Sequence, residues 1–341
     1  MINLSLININ FMRNLLLFFF FTSLLFILSK CSTNIEEEYQ IGDVKISSLP
    51  AQLIGQIAVE DSLLYLIKPF SSRQTIELWD INRSVKLDSG AMKGRGPKQV
   101  LRPPQLVGIN YDNITLYDSK KLLVYNKSDL SYKKSLNPPG KDSEFLKIIS
   151  IHENLYLGIN LDESNPFVLF DSLGFTRKFG DYPVNNTQIS NRYNVFQGSI
   201  SYNSYNKYFL YAPVHIGYFA IYKIQGHSTD KLFEKAYFSY DYTLIQENNL
   251  IWNKNNKRGA IDGLVTKDYV VLLILENAKT GDMITGYENT PETILIFDLG
   301  GKLQRKIKLD KKVLRLANTG RDNVLYCIGY NPDFCLIKYE L

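Results

Sequence analysis

One short segment recurs along this chain, and it limits the fold more than any other feature. Leu122–Asn126 reads LLVYN. Ile76–Asp80 (IELWD) precedes it, and Phe167–Asp171 (FVLFD), Phe219–Lys223 (FAIYK), Ile294–Asp298 (ILIFD) and Leu336–Glu340 (LIKYE) follow. Each is a β-prone run that ends in an aromatic and then a polar residue. The aromatics are Trp79, Tyr125, Phe170, Tyr222, Phe297 and Tyr339. They recur about every 40–50 residues, with one longer step after Tyr222, and a repeat of that length built from short strands is the signature of a β-propeller. The six copies predict six blades of about 50 residues, which nearly use up the 341 residues in one domain.

The rest of each repeat supports an all-β reading. Many expected strands are continuously apolar, such as Tyr269–Leu275 (YVVLLIL). A strand packed on both faces has this composition, and a blade lies between two neighbours. The flanking turn residues and β-branched content argue against a buried helix. The sixth repeat has no outer strand, because the sequence stops at Leu341, whereas Val44–Ser48 is a spare strand before the first repeat. The expected fold is therefore a six-bladed β-propeller over residues 42–341. Its ring is closed by an N-terminal strand, about residues 42–48, that pairs outside Leu336–Tyr339. Closure removes an otherwise exposed sheet edge.

Loop lengths divide the two faces. The connections from the first to second and third to fourth strand of a blade are mostly tight, as at Glu60–Ser62, Tyr111–Asn113 and His152–Asn154. The others are long: Ser89–Gln105, Gly180–Val195, Ser239–Ala260 and Glu276–Glu292. Strand direction alternates, so the long loops share one face, and long loops on a rigid scaffold are where binding usually resides.

The N-terminus reads as an address. Arg13 is followed by an apolar run from Leu15 to Leu28 and then by Ser29, Lys30 and Cys31. A basic start and a run too short to span a membrane comfortably describe a secretory signal over residues 1–30. Translation is expected to start at Met12, since nothing before it carries charge. Leu28–Cys31 resembles the bacterial lipobox, in which the cysteine is lipidated and becomes the new N-terminus; Lys30 stands where a small residue is usual. The resemblance implies lipidation at Cys31 and a cell-envelope location, on the periplasmic or the surface side of the outer membrane. An uncleaved signal anchor and a free thiol at Cys31 are the alternatives. Residues 31–41, with the acidic run Glu36–Glu38, read as a polar tether. An acidic run at this place also resembles the surface-export signal of Bacteroidetes lipoproteins.

The formal charge of +5 includes Arg13 and Lys30, so the remainder is nearly balanced. No clustered basic face indicates nucleic-acid binding. The three histidines, His152, His215 and His227, fall in different repeats, and the catalytic and metal-binding signatures of hydrolases are absent. No catalytic residue, metal or cofactor is assigned. Asp142, Glu144, Asp162 and Glu163 read as solvated loop charges. Cys327 and Cys335 flank a turn and fall nearly opposite in a tight hairpin; two buried thiols are expected in preference to a disulfide.

One loop is motif-like. Gly94-Arg95-Gly96-Pro97, followed by Pro103-Pro104 and a strand, after a lipoprotein-type leader, resembles the TolB-like six-bladed propeller lipoproteins of Bacteroidetes. In that group a Gly-x-Gly-Pro loop links the first two blades; the Gly-Glu common after its proline is Lys98-Gln99 here. The resemblance implies a six-bladed fold and an envelope location, and no established reaction. The glycines permit close backbone approach, and with Arg95 and Lys98 they form a candidate anion nest; a turn that stiffens the blade junction is the structural alternative.

On the same face Arg192, Tyr193, Tyr242, Trp252, Lys254, Arg258 and Tyr287 are candidates to grip an anionic peptide or glycan. Each is equally suited to packing its loop down. The functional expectation is a monomeric, lipid-anchored binding or scaffold module for a peptide, glycan or protein partner. The alternative is a propeller hydrolase or lyase, for instance a metal-dependent lactonase, which rests on analogy of fold.

Overall fold

The computed structural model describes residues 35–139, 145–160, 164–184, 189–283, 289–330 and 332–341. The leader with Met12 and Cys31, and the loop residues Asp142, Glu144, Asp162, Glu163 and Tyr287, lie outside them. The unit Glu37–Leu341 is an all-β ring. Strands β1 (Glu37–Gln40) and β2 (Asp43–Leu49) come first. Blade one is β3 (Ile57–Glu60), β4 (Leu63–Ile67), β5 (Gln74–Asp80) and β6 (Val85–Met92). Blade two is β7 (Gln105–Asn110), β8 (Asn113–Asp118), β9 (Lys121–Asn126) and β10 (Tyr132–Leu136). Blade three is β11 (Lys147–His152), β12 (Leu155–Ile159), β13 (Phe167–Asp171) and β14 (Thr176–Phe179). The short helix α1 (Arg192–Val195) leads into blade four, which is β15 (Gly198–Asn203), β16 (Tyr208–Pro213), β17 (Tyr218–Gln225) and β18 (Ser228–Ala236). A separate hairpin, β19 (Tyr242–Ile245) and β20 (Asn249–Trp252), interrupts the connection to blade five. Blade five is β21 (Ala260–Val265), β22 (Tyr269–Ile274), β23 (Thr293–Asp298) and β24 (Leu303–Leu309). Blade six is β25 (Val313–Ala317), β26 (Val324–Tyr330) and β27 (Phe334–Glu340), with β2 as its outer strand.

The recurrent aromatic explains how the ring holds together. Six apolar clusters form the core, and each joins two neighbouring blades. Every cluster contains one of the six aromatics. Trp79 lies between blades six and one and Tyr125 between one and two. Phe170 and Tyr222 serve the next two junctions, and Phe297 and Tyr339 the last two. All six are buried. Successive residues of β22 alternate between two clusters, with Val270, Leu272 and Ile274 on one side and Val271 and Leu273 on the other. That two-sided burial is why the strand reads as an unbroken apolar run.

Ring closure follows the expected pairing. β2 runs antiparallel to β27, with Asp43 opposite Lys338 and Val44 opposite Ile337. Ile46 and Leu49 enter the cluster between blades six and one.

The segment just before β2 departs from the expectation of a tether. Glu37–Gln40 pairs in parallel with β24 and gives blade five a fifth strand. The reason is charge: β24 presents Arg305 and Lys306, and Glu38 meets Arg305 at 2.6 Å while Glu37 meets Lys306 at 2.8 Å. Asp310 holds the corner, accepting from the Gly42 N–H at 3.0 Å and the Tyr339 hydroxyl at 2.8 Å.

Hydrogen bonding to Arg305 holds the Glu38 carboxyl below its ordinary value of 4.5; burial opposes this, and the charge of Arg305 adds to it. A depressed carboxylate stabilises the pairing above that ordinary value, and the contribution is lost as pH falls through the lower folded value. Acidification from neutral to below about pH 4 should therefore release β1 while the ring stays closed. Hydrogen exchange would show amides of β1 losing protection while those of β23 keep it; parallel loss in both strands would contradict the assignment.

The blade-six hairpin is offset from the expected register. Cys327 lies opposite Ile337 and Cys335 opposite Gly329. Both cysteines are free and buried, and burial pushes both thiols up.

Candidate functional site

The innermost strands β3, β7, β11, β15, β21 and β25 surround a central cavity of about 680 Å³. A polar residue stands at or near the head of each: Gln56, Gln105, Lys147, Ser199, Asp262 and Arg315. These heads lie at the end of the channel from which the long connections enter.

Most of them tie one blade to the next. Gln56 accepts from the Leu106 N–H at 2.7 Å. Gln105 donates through Nε2 to the Leu146 carbonyl at 2.6 Å. Ser199 donates through Oγ to Asp262 at 3.1 Å, and the second Asp262 oxygen accepts from the Leu316 N–H at 3.0 Å. Arg315 donates through Nε to the Gly55 carbonyl and through one Nη to Leu314.

Lys147 breaks the circuit. Its ammonium has no protein acceptor among the described residues. Burial among the inner strands pulls it below the ordinary lysine range; Asp262 opposes that effect and Arg315 adds to it. The channel mouth thus holds two cations and one carboxylate.

The long-loop face is most elaborate around blade four. Helix α1 is clamped by the hairpin β19–β20. Asn191 donates to the Leu250 carbonyl and accepts from the Leu250 N–H, both at 2.9 Å, and Ser190 donates to the Glu247 carbonyl at 2.8 Å. Trp252 is only 6% exposed and donates through Nε1 to the Val195 carbonyl at 3.1 Å. Phe196, Tyr240 and Tyr242 surround its ring edge-to-face, so Trp252 packs the loops and leaves no open face for a ligand. Arg192 lies over the Tyr182 ring, and Tyr193 is exposed. Arg258 donates to the Asp282 carbonyl at 3.2 Å. Its Nε is buried with no acceptor among the described residues, and burial lowers its pKa, Asp282 opposing. Burial and the charge of Arg258 lower His215.

Arg95 and Lys98 sit apart from this group, at the junction of blades one and two, and both are exposed. Lys98 lies near the Tyr132 ring. The glycine loop between blades one and two is filled by its own chain. The Gln99 side-chain oxygen accepts the Gly96 N–H at 2.9 Å, and a Cβ on Gly94 would fall 2.0 Å from that oxygen. The Gln99 side-chain amide thus takes the place an anion would need, and the loop acts as a turn.

Other chemistry is sparse. Among the described residues no three His, Cys, Asp or Glu side chains come together as a metal site, and no helix is long and apolar enough to cross a membrane. His227 lies on the short-loop side, stacked on Phe175 and 3.4 Å from Asp171.

Residues 54–317 match the model of the family described as TolB-like 6-blade propeller-like. The chain belongs to the TolB-like six-bladed propeller family. Solved structures share the fold. A member of the DUF4221 family from Bacteroides vulgatus has a TM-score of 0.56 at 12% identity, over 89% of this chain and 96% of its own. A Bacteroides fragilis protein described as exported has a TM-score of 0.52 at 10% identity, over 86% and 92%. Regucalcin from Agrobacterium tumefaciens, a calcium-binding protein, has a TM-score of 0.53 at 8% identity, over 89% and 95%. No curated protein matches the sequence.

In this TolB-like propeller the channel heads were not among the residues singled out by sequence. Their signal was slight: one polar residue falls within the first three positions of each inner strand or just before it. It is faint because the six residue types differ, so no motif repeats.

Proposed function

We propose that the protein is an envelope-anchored binding module. Cys31 carries the lipid, and the long-loop face receives a peptide, glycan or protein partner. The observation that carries this reading is the hairpin β19–β20. It exposes Tyr242 and Leu244 on one face and Ile245 and Ile251 on the other, with Tyr193 exposed on the helix it clamps. Soluble surfaces seldom leave a short hairpin with large apolar side chains bare on both faces without a partner. The clamps from Ser190 and Asn191 hold the surface ready, which reduces the ordering cost of binding. Arg192 and Arg258 add positive charge nearby and suit an acidic partner. The Bacteroides neighbour described as exported and the leader of this chain support the envelope location.

Two measurements test the reading. Cells fed labelled palmitate should label the wild-type protein and leave Cys31→Ala unlabelled. A thermal-shift screen against peptides, glycans and envelope proteins should find a ligand that raises the melting point with concentration. That ligand should bind Ile251→Asp at least about tenfold more weakly, with the unliganded melting point of the variant unchanged. A ligand indifferent to Ile251→Asp moves the site off this face.

A further inference from the structure

The channel mouth holds a cation that the fold itself does not use. Five of the six inner-strand heads make hydrogen bonds within the protein, and the Lys147 ammonium makes none among the described residues. Lys147 is half-buried and lines the channel cavity, so its ammonium stands open to whatever enters the mouth. The remaining charges show what would complete it. Toward the other end of the channel Glu60 pairs with Lys127 at 2.9 Å, and Asp61 faces Arg321 at 3.7 Å. Near Lys147, the carboxylate of Asp262 already accepts from Ser199 Oγ and from the N–H groups of Gly263 and Leu316. Arg315 spends Nε and one Nη on backbone carbonyls, and its second Nη has no acceptor among the described residues. Lys147 and Arg315 against Asp262 leave one positive charge in excess.

We infer that the channel mouth is a binding site for a singly charged carboxylate, held between Lys147 and the free Nη of Arg315. An ammonium and a guanidinium both form strong charge-assisted hydrogen bonds to a carboxylate. A single negative charge balances the site, whereas a phosphate dianion would leave it one charge too negative. The cavity of about 680 Å³ has room for the rest of a small molecule. The inference does not depend on the apolar hairpin. It uses the long-loop face only as the way in, so either reading can fail without the other.

The probes are propionate and benzoate, with inorganic phosphate as the contrast, added to the purified full chain at constant ionic strength. Both carboxylates should raise the melting temperature with concentration, and phosphate should not. Lys147→Met keeps the length of the side chain and removes the charge. Without ligand it should melt at or above the wild-type temperature; with propionate or benzoate its apparent affinity should fall at least tenfold. Lys147→Gln provides the same comparison should the methionine variant fold poorly. No shift with either carboxylate, an equal shift with phosphate, or an unchanged response in both variants would overturn the assignment.

Discussion

Replacing Phe167 with alanine should lower the unfolding free energy by about 4 kcal/mol, the cost typical of emptying a large buried aromatic site. Phe167 is fully buried at the junction of blades three and four. Its ring centroid lies 5.0–5.5 Å from those of Phe209, Tyr211, Phe179 and Tyr222. Three of these contacts are edge-to-face, the arrangement aromatic pairs favour. The cavity cannot collapse easily, because Tyr211 is tied through its hydroxyl to the Phe196 carbonyl at 2.6 Å. Phe167→Leu refills most of the volume and should cost about 1–2 kcal/mol. Urea denaturation at equilibrium would show the midpoint falling in that order with the slope preserved. An alanine variant within about 1 kcal/mol of wild type would mean that this junction is far looser than its geometry states.

Starting the chain at Pro50 should be still more damaging. The truncation removes β2, and with it Ile46 and Leu49, both 2% exposed. Two buried aliphatic side chains contribute about 1.5–3 kcal/mol each, so the loss should be about 5 kcal/mol. It also strips β27 of its outer partner and bares an apolar edge, a template for pairing with other chains. Light scattering should detect association in this truncation. A chain starting at Gly42 loses only β1 and its surface ion pairs, which contribute little on an exposed edge; it should stay monodisperse and nearly as stable. Equal stability of the two truncations would show that β2 does not carry ring closure.

Residues were legible in the sequence where a local pattern carried the information. Trp79, Tyr125, Phe170, Tyr222, Phe297 and Tyr339 could be read because each blade junction makes the same demand, one large ring from the third strand. Val44–Ser48 could be paired because a blade lacking its last strand leaves only one donor for it. Glu37 and Glu38 could not be read, because three adjacent acids look like a solvated tether until Arg305 and Lys306 are seen across from them. Trp252 illustrates the same limit. A tryptophan in a long loop fits a ligand platform or a packing residue equally well, and its bond to Val195 decides for packing. In the glycine loop, Gln99 turned a candidate anion nest into a filled turn.

The amino-acid sequence by itself determined the number of blades, the two-sided burial of their strands, the face that carries the long loops and the strand that closes the ring. All of these follow from periodicity, which is local. The tertiary structure alone decided which polar groups share a site. Lys147, Asp262 and Arg315 are far apart in the chain and lie on three different inner strands. Only the closure of the ring brings their charges to one channel mouth, where the cavity gives a ligand access to them.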